Sequence, residues 1–241
     1  MFKRYKLLKR RQRIISDPEI WILTKKELMW IIIFIIISSF ISFIPQIPTD
    51  IIKIFITALI FTIIIFTSII VKKLVSSNYA IKIENKPWEL QRFWFRETSY
   101  FKKPLVFGLI LPFFLSILSL GYIKPFTFFQ FDAENIPEKR LLKTRGERKP
   151  QRKETINEED LAYTSAAGFY ALILLTLLGL FIESFLKIGF GTDLAKYSIY
   201  YSIWNMVPFS QLDGTKLFFG SIITWVFVLI IQVILLLIII F

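Results

Sequence analysis

The 241-residue chain contains no histidine and no cysteine. Without cysteine there is no disulfide, no thiolate nucleophile and no thiolate metal site. Without histidine there is no imidazole base and no imidazole ligand. Any metal would rest on carboxylates, which suit magnesium or calcium better than zinc, and no cofactor is expected. Acidic residues are also few, 18 against 30 Lys and Arg, for a formal charge of +12. What is abundant is apolar: 55% of residues are hydrophobic, against roughly 45–50% in soluble domains, and they lie in long uninterrupted runs. The composition predicts an integral, multi-pass protein of the cell membrane. The positive charge then marks the cytoplasmic flanks of membrane helices and their contact with lipid headgroups; a nucleic-acid partner is not expected. The Ile-, Phe- and Lys-rich composition without Cys fits an AT-rich prokaryotic genome, of archaeal type.

Residues 1–28 form a basic head. Lys3, Arg4, Lys6, Lys9, Arg10, Arg11 and Arg13 interleave with Tyr5, Leu7, Leu8, Ile14 and Ile15. That pattern suits an amphipathic helix on an anionic surface or a basic tail that sets orientation. Asp17-Pro18-Glu19 reads as a helix start. The first apolar run begins near Met29, has no small-residue cleavage site and is followed by a second span, so no cleaved signal peptide is expected.

The membrane core, 29–216, opens with spans at about 28–44 and 51–71, separated by a Pro-containing turn at 45–50; at ~1.5 Å per residue both are long enough to cross. Residues 72–104 mix Lys and Arg with Trp88, Phe93, Trp94, Phe95 and Tyr100, an interfacial composition. An apolar stretch at 105–123 is interrupted by Gly108, Pro112, Ser116, Ser119 and Gly121. A charged loop, 124–163, follows, with a short strand expected over 126–131 and mobility over 140–160. A third span is expected at about 166–185 and a fourth from about Tyr197. A C-terminal helix, 217–241, carries Gln232 as a helix–helix contact. Glu183 is expected to reach headgroups or Lys187 one turn on.

Charge sets the topology. The head carries nine Lys and Arg, residues 72–104 eight and residues 124–163 nine, whereas the 45–50 turn has none. Basic loops stay in the cytoplasm, so the N-terminus and both large loops are expected there. That requires 105–123 to enter and leave on one side as a re-entrant element, giving five spans; the alternative is six full spans, with nine basic residues outside.

Against this apolar background, Asn205-Met206-Val207-Pro208-Phe209-Ser210-Gln211-Leu212-Asp213-Gly214 stands out, because polar, helix-breaking residues at membrane depth are costly. The pattern N-x-x-P-x-x-x-L-D-G resembles the third motif of the site-2 protease family of intramembrane zinc metalloproteases (peptidase family M50). Thr24-Lys25-Lys26-Glu27-Leu28 is similar to the entry of archaeal members. Aligned with the family, the H-E-x-x-H zinc motif falls on Ser68-Ile69-Ile70-Val71-Lys72, so Ser68 and Lys72 replace the histidines and Ile69 the catalytic glutamate. The A-G-P-x-x-N motif falls on Ala167 to Leu172, where Gly168 survives while Phe169 and Leu172 replace Pro and Asn. The resemblance covers roughly 24–216.

It implies an all-α polytopic membrane protein with a site-2-protease-like helical core, and a family zinc ligand at Asp213. Three protein ligands are needed to hold catalytic zinc, and Asp213 is the only candidate here. The expectation is therefore a protein without catalytic residues that serves as a scaffold, as a membrane-segment-binding protein or as a subunit of a membrane complex. Its partners are lipids and other membrane proteins or a hydrophobic segment. The alternatives are an active intramembrane metalloprotease with an unorthodox site and a transporter or channel component, for which a broken helix is also typical. A buried Asp213 needs a partner, and Lys72 is placed to provide one. Ser68 and Lys72, four residues apart, also share a helix face as a Ser/Lys dyad would.

Overall fold

The structure, a computed structural model, describes residues 23–44, 50–79, 81–92, 100–135, 141–142, 151–152, 156–187 and 189–241. The head up to residue 22 with its Asp17-Pro18-Glu19 start, the 45–49 turn, Phe93, Trp94 and Phe95, and most of 140–157 fall outside these residues. The described chain is mostly helical. Its helices are α1 (Lys25–Ser42), α2 (Ile51–Asn78), α3 (Phe107–Leu118), α4 (Glu158–Leu186), α5 (Phe190–Met206), α6 (Asp213–Gly220) and α7 (Ile222–Ile240). Three of them, α2, α4 and α7, are long and apolar enough to cross a membrane. α1 is as long as a short span, but Lys25, Lys26 and Glu27 occupy its first turn.

The all-α expectation needs one addition. Strand β1 (Ile81–Pro87) pairs antiparallel with β4 (Phe129–Asn135) from Ile81↔Asn135 to Pro87↔Phe129, and β2 (Leu90–Arg92) pairs with β3 (Tyr100–Leu105). A short β5 (Leu141–Leu142) pairs with β6 (Gln151–Arg152). β1 alternates buried Ile81, Ile83 and Asn85 with exposed Lys82 and Glu84, the period of a half-buried strand. The strand expected over 126–131 is displaced: 124–128 has no regular secondary structure, and the strand begins at Phe129.

The helices differ from the expected spans in instructive ways. α2 runs seven residues beyond 71 because Lys72, Lys73, Ser76 and Ser77 are buried against other elements rather than lying in a loop. α4 begins at Glu158, whose neighbours Glu159 and Asp160 complete an acidic first turn that complements the helix dipole, so 158–160 is helix and not part of a mobile loop. α5 starts at Phe190, well before Tyr197, after a left-handed Gly189 at φ 81°. The expected 217–241 helix is two pieces, broken at Ser221, whose φ of −160° is extended.

α4 and α5 form a close hairpin. A Cβ on Gly179 would stand 2.8 Å from the Ala195 nitrogen, and Gly191 packs with equal closeness on the backbone of Gly179 and Glu183. Small residues of this kind let membrane helices approach closely. Glu183 accepts from the Gly189 N–H at 3.0 Å and the Thr192 N–H at 3.4 Å. It thus caps the α5 N-terminus instead of pairing with Lys187 along its own helix. Gln232 fulfils the expected helix contact, donating to Ser202 Oγ at 2.8 Å between α7 and α5.

The segment 107–128 is a hairpin closed at its base. The Gly108 N–H donates to Trp88 O, the Phe128 N–H to Gly108 O and the Trp88 N–H to Phe128 O. The start of α3 and the end of the returning chain therefore lie together. The return runs along α1: Lys124 Nζ donates to Ser42 O at 2.8 Å, Ser38 and Thr127 share a hydrogen bond, and Phe34 stacks on Phe129. Trp88 sits in the wall of this base, among Phe107, Phe128 and Phe209. It is buried there.

Candidate functional site

The Asn205–Gly214 stretch is the point at which α5 stops. Pro208 biases Val207 away from helical geometry, and Val207 takes ψ 126°. The chain then turns through Ser210, at φ 55°, and restarts as α6 at Asp213. Each motif residue has a separate task. Leu212 packs with Trp88 and Phe128. Gly214 lies so close to Met206 O that a Cβ would collide with the α5 backbone. Asn205 is buried: its Oδ1 accepts from the Phe129 N–H at 3.2 Å, and its Nδ2 donates to Tyr201 O at 2.9 Å and to Thr127 O.

Asp213 meets Lys72. Lys72 Nζ donates to Asp213 Oδ2 at 2.7 Å, with both side chains almost wholly buried; the ion pair expected from the sequence is present. Gly168 explains itself here. A Cβ at that position would stand 2.9 Å from Lys72 Cγ and 3.0 Å from Cδ, so its absence lets the lysine stem pass across α4. Ser68, Gly168, Asn205 and Asp213 line one cavity of about 10 Å³ together with Ser165, Phe169, Leu172 and Tyr201. That is room for a single water. Among the described residues, Asp213 Oδ1 and Ser165 Oγ have no hydrogen-bond partner. Ile69 is elsewhere, in the apolar core with Phe61, Ile65 and Leu172.

The chemistry of this cluster is narrow. No group of three or more His, Cys, Asp and Glu side chains converges among the described residues. Asp213 is the sole carboxylate of the cavity, and one of its oxygens is held by an ammonium. These residues do not fit zinc, which needs three protein ligands in a hydrolytic site. The ammonium that a Ser/Lys dyad would require as a neutral base is committed to Asp213 instead of Ser68.

Sequence reasoning missed a second buried pair. Lys73 Nζ donates to Glu27 Oε2 at 2.5 Å, and Glu27 Oε1 accepts from the Asn85 backbone N–H at 3.1 Å and its Nδ2 at 2.8 Å. The network ties α1, α2 and β1 together. Successive residues diverge by about 100° on a helix, so the two buried lysines face different carboxylates, but their burial is a tertiary fact that the sequence does not carry.

It also missed Lys216. Among the described residues, β4 has β1 on one side only. By the alternation of an antiparallel ladder, Phe129, Phe131 and Ala133 turn their backbone groups to the outer edge. Asn205 covers the Phe129 N–H, and Lys216 Nζ donates to Phe131 O while lying over the Phe131 ring at 3.4 Å. Beyond them a cleft of about 440 Å³ opens, lined by Ala133, Glu158, Gln211, Thr215, Lys216 and Phe219 among others.

No protein family, curated protein or solved structure matches this chain. The site is read from its own chemistry.

Proposed function

We propose that this is a catalytically inert membrane protein with a site-2-protease-like core, which retains an extended segment of another membrane protein. The observation that carries the reading is the Lys72–Asp213 pair. In the resemblance, Asp213 is a metal ligand and position 72 a zinc-binding histidine. Here a lysine brings its own positive charge to the carboxylate, which neutralises Asp213 without a metal and supplies no activated water. Retention falls to the outer edge of β4 at Ala133, beyond the Phe131 carbonyl that Lys216 covers, where the strand lines the 440 Å³ cleft. An unpaired strand edge is a template for strand addition.

The same reading has five spans, α1, α2, α4, α5 and α7, with 107–128 as a re-entrant hairpin and the N-terminus in the cytoplasm. Two features support it. The backbone bonds among Trp88, Gly108 and Phe128 bring both ends of the hairpin to one level. The Lys73–Glu27 and Lys72–Asp213 pairs bring the start of α1, the end of α2 and the start of α6 to one end of the bundle, as an odd number of spans requires.

The test is purification of the full chain from its native membranes in mild detergent, with metal content and bound protein measured on one sample. The expected result is a stoichiometric membrane-protein partner, without stoichiometric transition metal, that is lost when Ala133 is replaced by proline at the strand edge. Bound zinc that disappears in Asp213→Ala would overturn the reading.

A further inference from the structure

Lys72 neutralises Asp213 but bonds only one of its oxygens. Oδ2 accepts from the ammonium at 2.7 Å, whereas Oδ1 is buried without a hydrogen-bond partner among the described residues. Ser165 Oγ is in the same condition, and the two residues line one cavity. Ser165 differs from the other hydroxyl residues of α4. Thr164 donates to Asp160 O, Thr176 to Leu172 O and Ser184 to Phe181 O, at 2.8 to 2.9 Å. A helical Ser or Thr reaches a carbonyl one turn back in this way. Ser165 leaves that acceptor unused, so its hydroxyl is available to the cavity. Yet it does not bond Asp213 directly, since neither atom has a partner. Leaving two polar atoms buried and unbonded is costly.

We infer that the cavity is a binding site for one resident water, which donates to Asp213 Oδ1, accepts the Ser165 O–H and so links α6 to α4. The space of about 10 Å³ matches a single water and admits no larger guest. A buried water needs about two to four polar neighbours, and Ser68 of α2, which lines the same cavity, adds one to Asp213 and Ser165. The charge of the site selects a neutral ligand. One carboxylate already faces one ammonium, so a metal or alkali cation would place an unopposed positive charge beside Lys72, and an anion would meet Oδ1. An apolar guest would leave both oxygens unbonded. Water alone combines the size, the neutrality and a donor for Oδ1.

Ser165 is then a positioning residue. It acts on Asp213 through the water, holding Oδ1 in place while Oδ2 stays on Lys72. The inference concerns the ion pair itself and stands apart from strand addition at β4.

Two measurements on the full chain test it. The first is X-ray diffraction from lipidic cubic phase crystals grown in rubidium chloride, with data collected at the rubidium edge. The expected result is one isolated density peak within hydrogen-bond distance of Asp213 Oδ1 and Ser165 Oγ, without anomalous signal. An anomalous peak there overturns the inference in favour of a cation, and a cavity without density overturns it outright. The second is X-ray radiolysis in detergent micelles, read by mass spectrometry, in which hydroxyl radicals formed from bound water oxidise the side chains beside it. Phe169 and Tyr201 line the cavity and are expected to be oxidised although buried; Phe34 and Phe61, buried in the apolar core, are expected to be spared. Oxidation should be lost at Phe169 and Tyr201 in Ser165→Val, which fills the space and removes the hydroxyl. Equal oxidation of both pairs, or of neither, overturns the inference, as does oxidation that persists in a folded Ser165→Val. The wild-type comparison needs no variant, so a misfolded Ser165→Val leaves the outcome decided.

Discussion

Replacing Lys72 by methionine keeps most of the stem that crosses Gly168 and removes the charge. Asp213 is then left with Oδ2 unpaired and Oδ1 already without a partner, in a site where the lysine and aspartate side chains are only 2% and 7% exposed. Breaking a buried pair from one side costs about 3–5 kcal/mol. Asp213→Asn, which strands the Lys72 ammonium, is expected to cost a similar amount. The double variant contains neither charge. It leaves an amide beside a thioether and is expected to cost only about 1–2 kcal/mol, the scale of an imperfectly satisfied buried polar group. The singles sum to roughly 6–10 kcal/mol, so the cycle should return a coupling of about 4 kcal/mol or more. The assay is reversible unfolding of the detergent-solubilised chain with increasing SDS mole fraction, followed by tryptophan fluorescence and circular dichroism, with agreement of the two as the check on two-state behaviour. Singles whose costs add to within ~0.5 kcal/mol of the double would refute the argument, as would singles that each cost less than ~1 kcal/mol, the range of an exposed pair.

Gly168→Ala should destabilise by about 1–3 kcal/mol, because its Cβ meets a lysine stem that is already fixed at both ends, and the cost should fall in a Lys72→Ala background measured the same way. Asn205→Ala removes the acceptor of the Phe129 N–H and should cost about 1–3 kcal/mol; hydrogen exchange should accelerate at the Phe129 amide more than at the Glu84 amide, opposite Asp132 in the ladder. The double variant Ser68→His with Lys72→His places two imidazoles one helical turn apart, facing Asp213. It should bind one zinc per chain by elemental analysis, lose it on Asp213→Ala and rise in thermal midpoint with added zinc; no binding would remove the geometric basis for aligning 68–72 with a metal motif.

Much of the site was legible because it lies where the apolar pattern is violated. Asn205, Pro208 and Asp213 are conspicuous in a hydrophobic run, and a buried carboxylate in a chain without histidine calls for a lysine, which Lys72 supplies. The glycine, proline and serine interruptions marked 105–123 as unlike the other apolar runs, and the short α3 with its return to Trp88 lies there. Where the reading failed, it failed over cations. Lys72 and Lys73 were counted as loop charge, although α2 carries them inward; periodicity cannot distinguish a lysine that leaves the helix from one that turns into the bundle. Lys216 and Glu27 gave no signal because their partners, Phe131 O and Lys73, are set by tertiary contact. Glu183 had Lys187 at the favoured spacing, yet the free N–H groups of the next helix competed for it more closely than a solvated ammonium did. The helix break at Ser221 was invisible for a related reason: α6 is angled by the contact of Gly220 with the α4 backbone at Glu158, which apolar continuity does not encode.

The two lysine pairs also differ in when each can form. Glu27 precedes Lys73 by 46 residues, so its carboxylate is already made when Lys73 leaves the ribosome. Asp213 follows Lys72 by 141 residues; at about 5–20 residues per second that is a delay of roughly 7–28 s. For that interval α2 carries an ammonium with no native partner, a charge that is costly to bury alone until α6 is made. The pair that closes the folded bundle at α6 is therefore the later of the two to form, and truncation before Asp213 leaves Lys72 with a charge that no carboxylate of this site meets.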